Sequence, residues 1–146
     1  MEYKKLFIIL GVCVSLVVLP TILLSTPMMG CYQGKIDENP NSDSSRDWQF
    51  KLAKTCANTL RPDLAADMYE RYIDRYKKDE KRAEAMWRRA QCLVEAEKVE
   101  EGKEQYRVLI LEYPKDAFAL QADDLLKLRF NDYKRYPKGH VLPKKK

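Results

Sequence analysis

One fixed offset runs through most of this chain. Phe50 aligns with Trp87, Ala53 with Ala90, Cys56 with Leu93, Ala65 with Gly102, Tyr69 with Tyr106, Ile73 with Ile110 and Tyr76 with Tyr113, each pair 37 residues apart. An offset that holds through about eight helical turns identifies a repeated helix-turn-helix unit. Such a unit has an apolar face that it cannot bury alone, so it stacks on its neighbour. A binding scaffold is therefore the first functional class to consider, ahead of any catalytic one.

Between residues 46 and 135 Glu, Lys, Arg, Ala and Leu are abundant, which favours helix over strand. Apolar residues at helical spacing predict five helices. The first covers 46–60, with Phe50, Leu52, Ala53, Cys56, Ala57 and Leu60 on one stripe. The turn Arg61-Pro62-Asp63 leads into a second helix to Lys77, with Leu64, Ala65, Met68, Tyr69, Tyr72, Ile73 and Tyr76 inward. A third covers 81–97, and a fourth runs from Val99 to Tyr113, where Pro114 stops it. A fifth, 116–132, carries Ala119, Ala122, Leu125, Leu126, Leu128 and Phe130, and its charged residues suit a capping helix with one polar face. The expected class is all-α, with a short solenoid of about five helices behind an N-terminal apolar helix.

Small residues recur where paired helices must approach closely: Ala53 and Ala90 in the first helix of each pair, Ala65 and Gly102 early in the second. With the aromatics Tyr69 and Tyr106 and the closing Pro114, this pattern resembles the tetratricopeptide repeat. The resemblance covers 46–115 as two repeats, plus a half repeat to 132. It departs from the family at Tyr72, where alanine is common, at Arg89, where leucine is expected, and at Lys77, in place of a closing proline. The Glu112-Tyr113-Pro114 ending followed by Ala-rich sequence is similar to the periplasmic repeat lipoproteins of outer-membrane protein assembly. In the repeat family the first helix of each pair lines a concave groove. Position by position, the resemblance implies a groove of Phe50, Lys51, Lys54 and Asn58 from one repeat and Trp87, Arg88, Gln91 and Glu95 from the next. Aromatics beside basic side chains would anchor an acidic or extended peptide. The alternatives are an ordinary amphipathic bundle, and a purely packing role for Phe50 and Trp87.

The N-terminus carries an address. Residues 6–30 hold no charged side chain and follow Lys4 and Lys5. Leu6 to Leu24 is long enough to span a bilayer, and the lysines favour a cytoplasmic N-terminus, with the repeats on the far side. The alternative is a bacterial lipoprotein signal: Met28-Met29-Gly30-Cys31 resembles a lipobox, which would make Cys31 the lipidated anchor. Residues 1–31 are thus an anchor or a signal. Residues 32–45, rich in Asn, Asp, Ser, Pro and Gly, read as a flexible linker, with Ser44 or Ser45 capping the first helix. Residues 46–132 form the repeat domain and 133–146 a basic tail.

Charge is unevenly spread. The net charge is +5, but Lys134, Arg135, Lys138, Lys144, Lys145 and Lys146 stand in a tail without acid, and the remainder is nearly neutral. Such a tail is a solvated end or a contact for anionic surfaces. Cys56 and Cys92 fall near one level of successive first helices, either as a disulfide or as separate buried thiols. The single histidine, His140, lies in the tail. No Cys-x-x-Cys pair, histidine cluster or Gly-rich phosphate loop is present. Neighbouring carboxylates such as Glu100-Glu101 point about 100° apart on a helix. The expectation is a non-enzymatic interaction module without metal or cofactor, tethered to a bacterial membrane and facing the periplasm. Its partner is a protein, within a membrane complex, and not nucleic acid. The alternative is a binder of anionic lipid or polymer through the tail.

Overall fold

The computed structural model describes residues 26–134. The apolar run Leu6–Leu24 and the tail from Arg135 onward, including His140, lie outside them. Among the described residues there are six helices and no strand: α1 (Thr26–Glu38), α2 (Asp43–Asn58), α3 (Pro62–Arg75), α4 (Arg82–Glu95), α5 (Val99–Glu112) and α6 (Ala117–Phe130). No described helix is long and apolar enough to cross a membrane. The chain divides into two compact units, 1–45 and 46–146.

In the first unit the structure corrects the linker. Residues 32–38 are helical, as part of α1. Polar composition hides a narrow stripe: Met29, Gln33 and Ile36, spaced four and three apart, are all buried. Gln33 Nε2 donates to Asp37 Oδ1 across one turn at 3.0 Å. The helix passes through Gly30-Cys31 with Cys31 exposed, and Pro40 lies just beyond its end. The cap of the next helix also moves. Ser42, not Ser44 or Ser45, receives the Ser45 N–H on its Oγ at 3.1 Å, so α2 starts at Asp43.

In the second unit the 37-residue offset extends to single hydrogen bonds. α3 and α5 have the same length, 14 residues, and start and end one offset apart. α2 closes at Leu60 and α4 at Glu97, both non-glycine residues in the left-handed region, with φ of 57° and 63°. The Arg61 N–H then donates to the Cys56 carbonyl at 3.3 Å, and the Lys98 N–H to the Leu93 carbonyl at 2.9 Å. This six-to-one closure satisfies carbonyls that the helix end leaves open. The second helices end alike: Tyr76 N–H donates to Tyr72, and Tyr113 N–H to Leu109, both at 2.9 Å. The next entry repeats too, for Asp79 Oδ1 accepts the Lys81 N–H and Asp116 Oδ1 the Phe118 N–H, each at 2.8 Å.

Asp79 holds more than its counterpart does. Tyr72 Oη donates to Asp79 Oδ1 at 2.6 Å, and Arg46 Nε lies 3.0 Å from Oδ2. Tyr72 thus occupies a position where the family favours alanine because its ring is fully buried and its hydroxyl ties α3 to the following turn. Burial first, and then the Asp79 carboxylate, push its pKa well above the ordinary phenol value.

The core lies between the stacked helices, where Tyr69, Tyr72, Met86, Tyr106, Leu109 and Leu126 are fully buried. Burying a large apolar side chain of this kind stabilises by about 1.5–3 kcal/mol. α6 differs from the expected polar cap. Ala119, Ala122 and Leu126 make its buried stripe, but Leu128 is 87% exposed and Leu120 58%. Leu128 sits two residues, about 200°, beyond Leu126 and so turns away from the core.

Candidate functional site

The aromatics of the expected groove do not line one. Phe50 is buried, with ring centroids 5.8 Å from Tyr69 and 5.3 Å from Tyr72, both near-perpendicular. Lys81 Nζ lies over its outer face at 5.8 Å. Trp87 is half-buried and packs on Phe118 at 5.5 Å. Lys81 and Phe118 are themselves one offset apart, so each first-helix aromatic is covered by the residue that opens the next first helix. Phe50 and Trp87 therefore join consecutive repeats. That is the packing role the sequence left open for them.

The polar members of the set do reach the surface. Lys51, Lys54, Asn58 and Glu95 are exposed, and Arg88 and Gln91 half-buried. Arg88 Nε is held by Glu84 Oε1 on its own helix at 2.7 Å. They form a solvated line along α2 and α4.

A cleft of about 450 Å³ lies on the other side, among α3, α4 and α5. α3 contributes Glu70, Ile73 and Asp74 to one wall; α4 supplies the floor with Arg82, Met86 and Arg89. α5 forms the second wall with Glu101, Glu104, Gln105, Val108 and Glu112. Both wall sets are helical stripes, recurring at three and four residues from Glu70 and from Glu101. Arg89 is 92% buried at the floor and bridges the walls. Its Nη2 is 3.2 Å from Glu70 Oε1, and its Nη1 donates to Gln105 Oε1. Its Nε–H is buried without an acceptor. Arg82 donates through Nη1 to Glu112 and, at 2.8 Å, to Tyr113 Oη. Its Nε–H reaches the Ile73 carbonyl at 3.3 Å. With both arginines matched by carboxylates and Glu104 held by Arg107, Asp74 and Glu101 give the cleft its negative sign.

The sequence singled out Arg89 but not Glu70, Asp74, Glu104 or Gln105. Arg89, noted as a departure from leucine, marked a polar floor; the acidic stripes on the second helices were the other signal.

The cysteine alternatives resolve to free thiols. Cys56 and Cys92 are buried and unbridged. The partner of Cys56 under the offset is Leu93, so Cys92 is turned about 100° from the matching direction. Burial raises the pKa of Cys56 and pushes Cys92 up to about 11, the opposite of an activated nucleophile. Among the described residues no cluster of His, Cys, Asp and Glu could hold a metal ion.

Residues 84–116, from α4 through α5 to the next capping aspartate, match the model of the tetratricopeptide repeat family. No curated protein is significantly similar to the chain. The match covers the second repeat, and the preceding repeat has the same helix ends and hydrogen bonds at a constant 37 residues. Together these findings make the paired helices of this chain similar to the tetratricopeptide repeat.

Proposed function

We propose that this chain is a non-enzymatic protein-interaction module tethered to a bacterial membrane, with its repeats in the periplasm, serving as an accessory subunit of a membrane complex. Repeats of this kind are protein–protein interaction modules, and the repeated helix closures are the observation that carries the reading. The uncharged segment 6–30 behind Lys4 and Lys5 supports the tether, by a spanning helix or by lipid on Cys31. Two units and a half offer a short surface, which suits a subunit completed by its neighbours. Affinity purification in mild detergent tests the proposal. A stable stoichiometric partner is the expected result, and recovery of the lone chain across conditions refutes it. Intact mass separates the tethers: full length means a helix, and loss of about 30 residues with added acyl mass means a lipoprotein.

A second reading rests on the six basic residues of 134–146. A tail that binds anionic lipid or polymer makes binding fall with salt and disappear when the tail is deleted.

A further inference from the structure

The surface chemistry of the α3–α4–α5 cleft is unlike that of the solvated line on α2 and α4. Apolar surface lies between the paired arginines, from Met86 on the floor and from Ile73 and Val108 on the walls. Its walls carry Glu70 and Asp74 on α3, and Glu101, Glu104 and Glu112 on α5. Arg82 and Arg89 are the cations that line it, and each already has a carboxylate, Glu112 and Glu70. Asp74 and Glu101 are exposed on opposite walls. The α5 wall, from Glu101 to Glu112, is about 16 Å long at the helical rise. That length matches about five residues of extended chain.

We propose that this cleft takes an extended, lysine- or arginine-bearing segment of a partner protein. The proposal rests on the interaction-module reading and names the partner's chemistry. Long basic side chains suit both surfaces at once. Their aliphatic stems lie on Ile73, Met86 and Val108, while their cationic ends reach Asp74 and Glu101. An acidic segment would meet like charge on both walls. The Arg89 Nε–H is a second pointer. An unpaired buried donor is costly, and a small turn of the guanidinium offers it to a carbonyl of the entering backbone. The site lies against the second helices of the repeats, away from the first-helix groove that the family resemblance implies.

The test uses the full chain in non-ionic detergent and two short fluorescent peptides. The peptides share one framework of leucine and alanine; one carries lysines and the other glutamates. Fluorescence anisotropy should show the lysine peptide binding, with affinity falling several-fold at high salt. Asp74→Lys combined with Glu101→Lys should weaken it about tenfold. Both positions are exposed, and an unchanged melting curve would show that the variant folds. Lys51→Glu with Lys54→Glu should leave lysine-peptide binding unchanged. Preference for the glutamate peptide, lost in Lys51→Glu with Lys54→Glu, would overturn the cleft and leave the interaction module standing. Failure of both peptides while a partner still co-purifies would do the same. Lysine-peptide binding that appears only after residues 135–146 are removed would also overturn it, since the occupant is then the chain's own tail.

Discussion

Gly102 is where the two repeats solve one packing problem differently. It stands one offset after Ala65, so alanine is the obvious replacement. A Cβ built on Gly102 would lie 2.7 Å from Val94 Cγ2 and 3.0 Å from the Ala90 carbonyl oxygen. Neither neighbour yields easily, because the oxygen is backbone and a valine methyl on a helix is stiff at χ1. Gly102→Ala gains about 1 kcal/mol of helix propensity and incurs about 1–3 kcal/mol of overpacking. With two unyielding neighbours the upper part of that range applies, leaving a net loss of about 1–2 kcal/mol. In a domain of this size that lowers Tm by about 5–10 °C. The first repeat shows the remedy, since Val94 matches Ala57 there. Val94→Ala alone removes two half-buried methyls, at a cost of about 1 kcal/mol. The double variant has the Ala57/Ala65 combination and should be more stable than the sum of the singles by about 1–2 kcal/mol. Thermal and urea melts followed by circular dichroism give the full cycle. Stabilisation of the Gly102→Ala single variant, or additivity in the double, would refute close approach of α4 and α5.

Tyr72→Phe keeps the buried ring and removes the hydroxyl that binds Asp79, so urea melts should show a loss of about 1.5 kcal/mol. Asp132 gives a pH signature. Burial opposes its carboxylate, but the Lys134 N–H and the Arg107 guanidinium outweigh this and hold its pKa below the ordinary range. A depressed folded pKa contributes stability that is complete above the unfolded value of about 3.9 and drains as pH falls through the folded value. Melts from pH 7 to pH 2 should therefore flatten at the acid end in Asp132→Asn. Peptide mapping after alkylation should find Cys31 modified quickly, and Cys56 and Cys92 only in denaturant. Resistance of the latter pair to alkylation in denaturant, relieved by reductant, would reveal a bridge and contradict the free thiols.

The helices and their order were legible because the offset and the apolar stripes are local signals. The ends of α3, α4 and α5 were placed within about two residues. α1 was missed because a stripe of Met29, Gln33 and Ile36 on an otherwise polar segment is too narrow to read as amphipathic. The packing of the first-helix aromatics was hidden for a different reason. Whether Phe50 faces solvent depends on Lys81, 31 residues on, and no local pattern in α2 carries that contact. The acidic cleft likewise needs three helices assembled before Glu70, Arg89 and Gln105 meet.

The repeat itself is most sharply exposed at its two helix closures. Solution NMR of the full chain in detergent micelles reads backbone angles at Leu60 and Glu97 from chemical shifts and three-bond couplings. Two equivalent units require positive φ at both residues, with slowly exchanging amides at Arg61 and Lys98. A left-handed Glu97 beside a helical or extended Leu60 would mean that only residues 84–116 form a repeat, and would contradict the paired-unit fold on which the interaction surface depends.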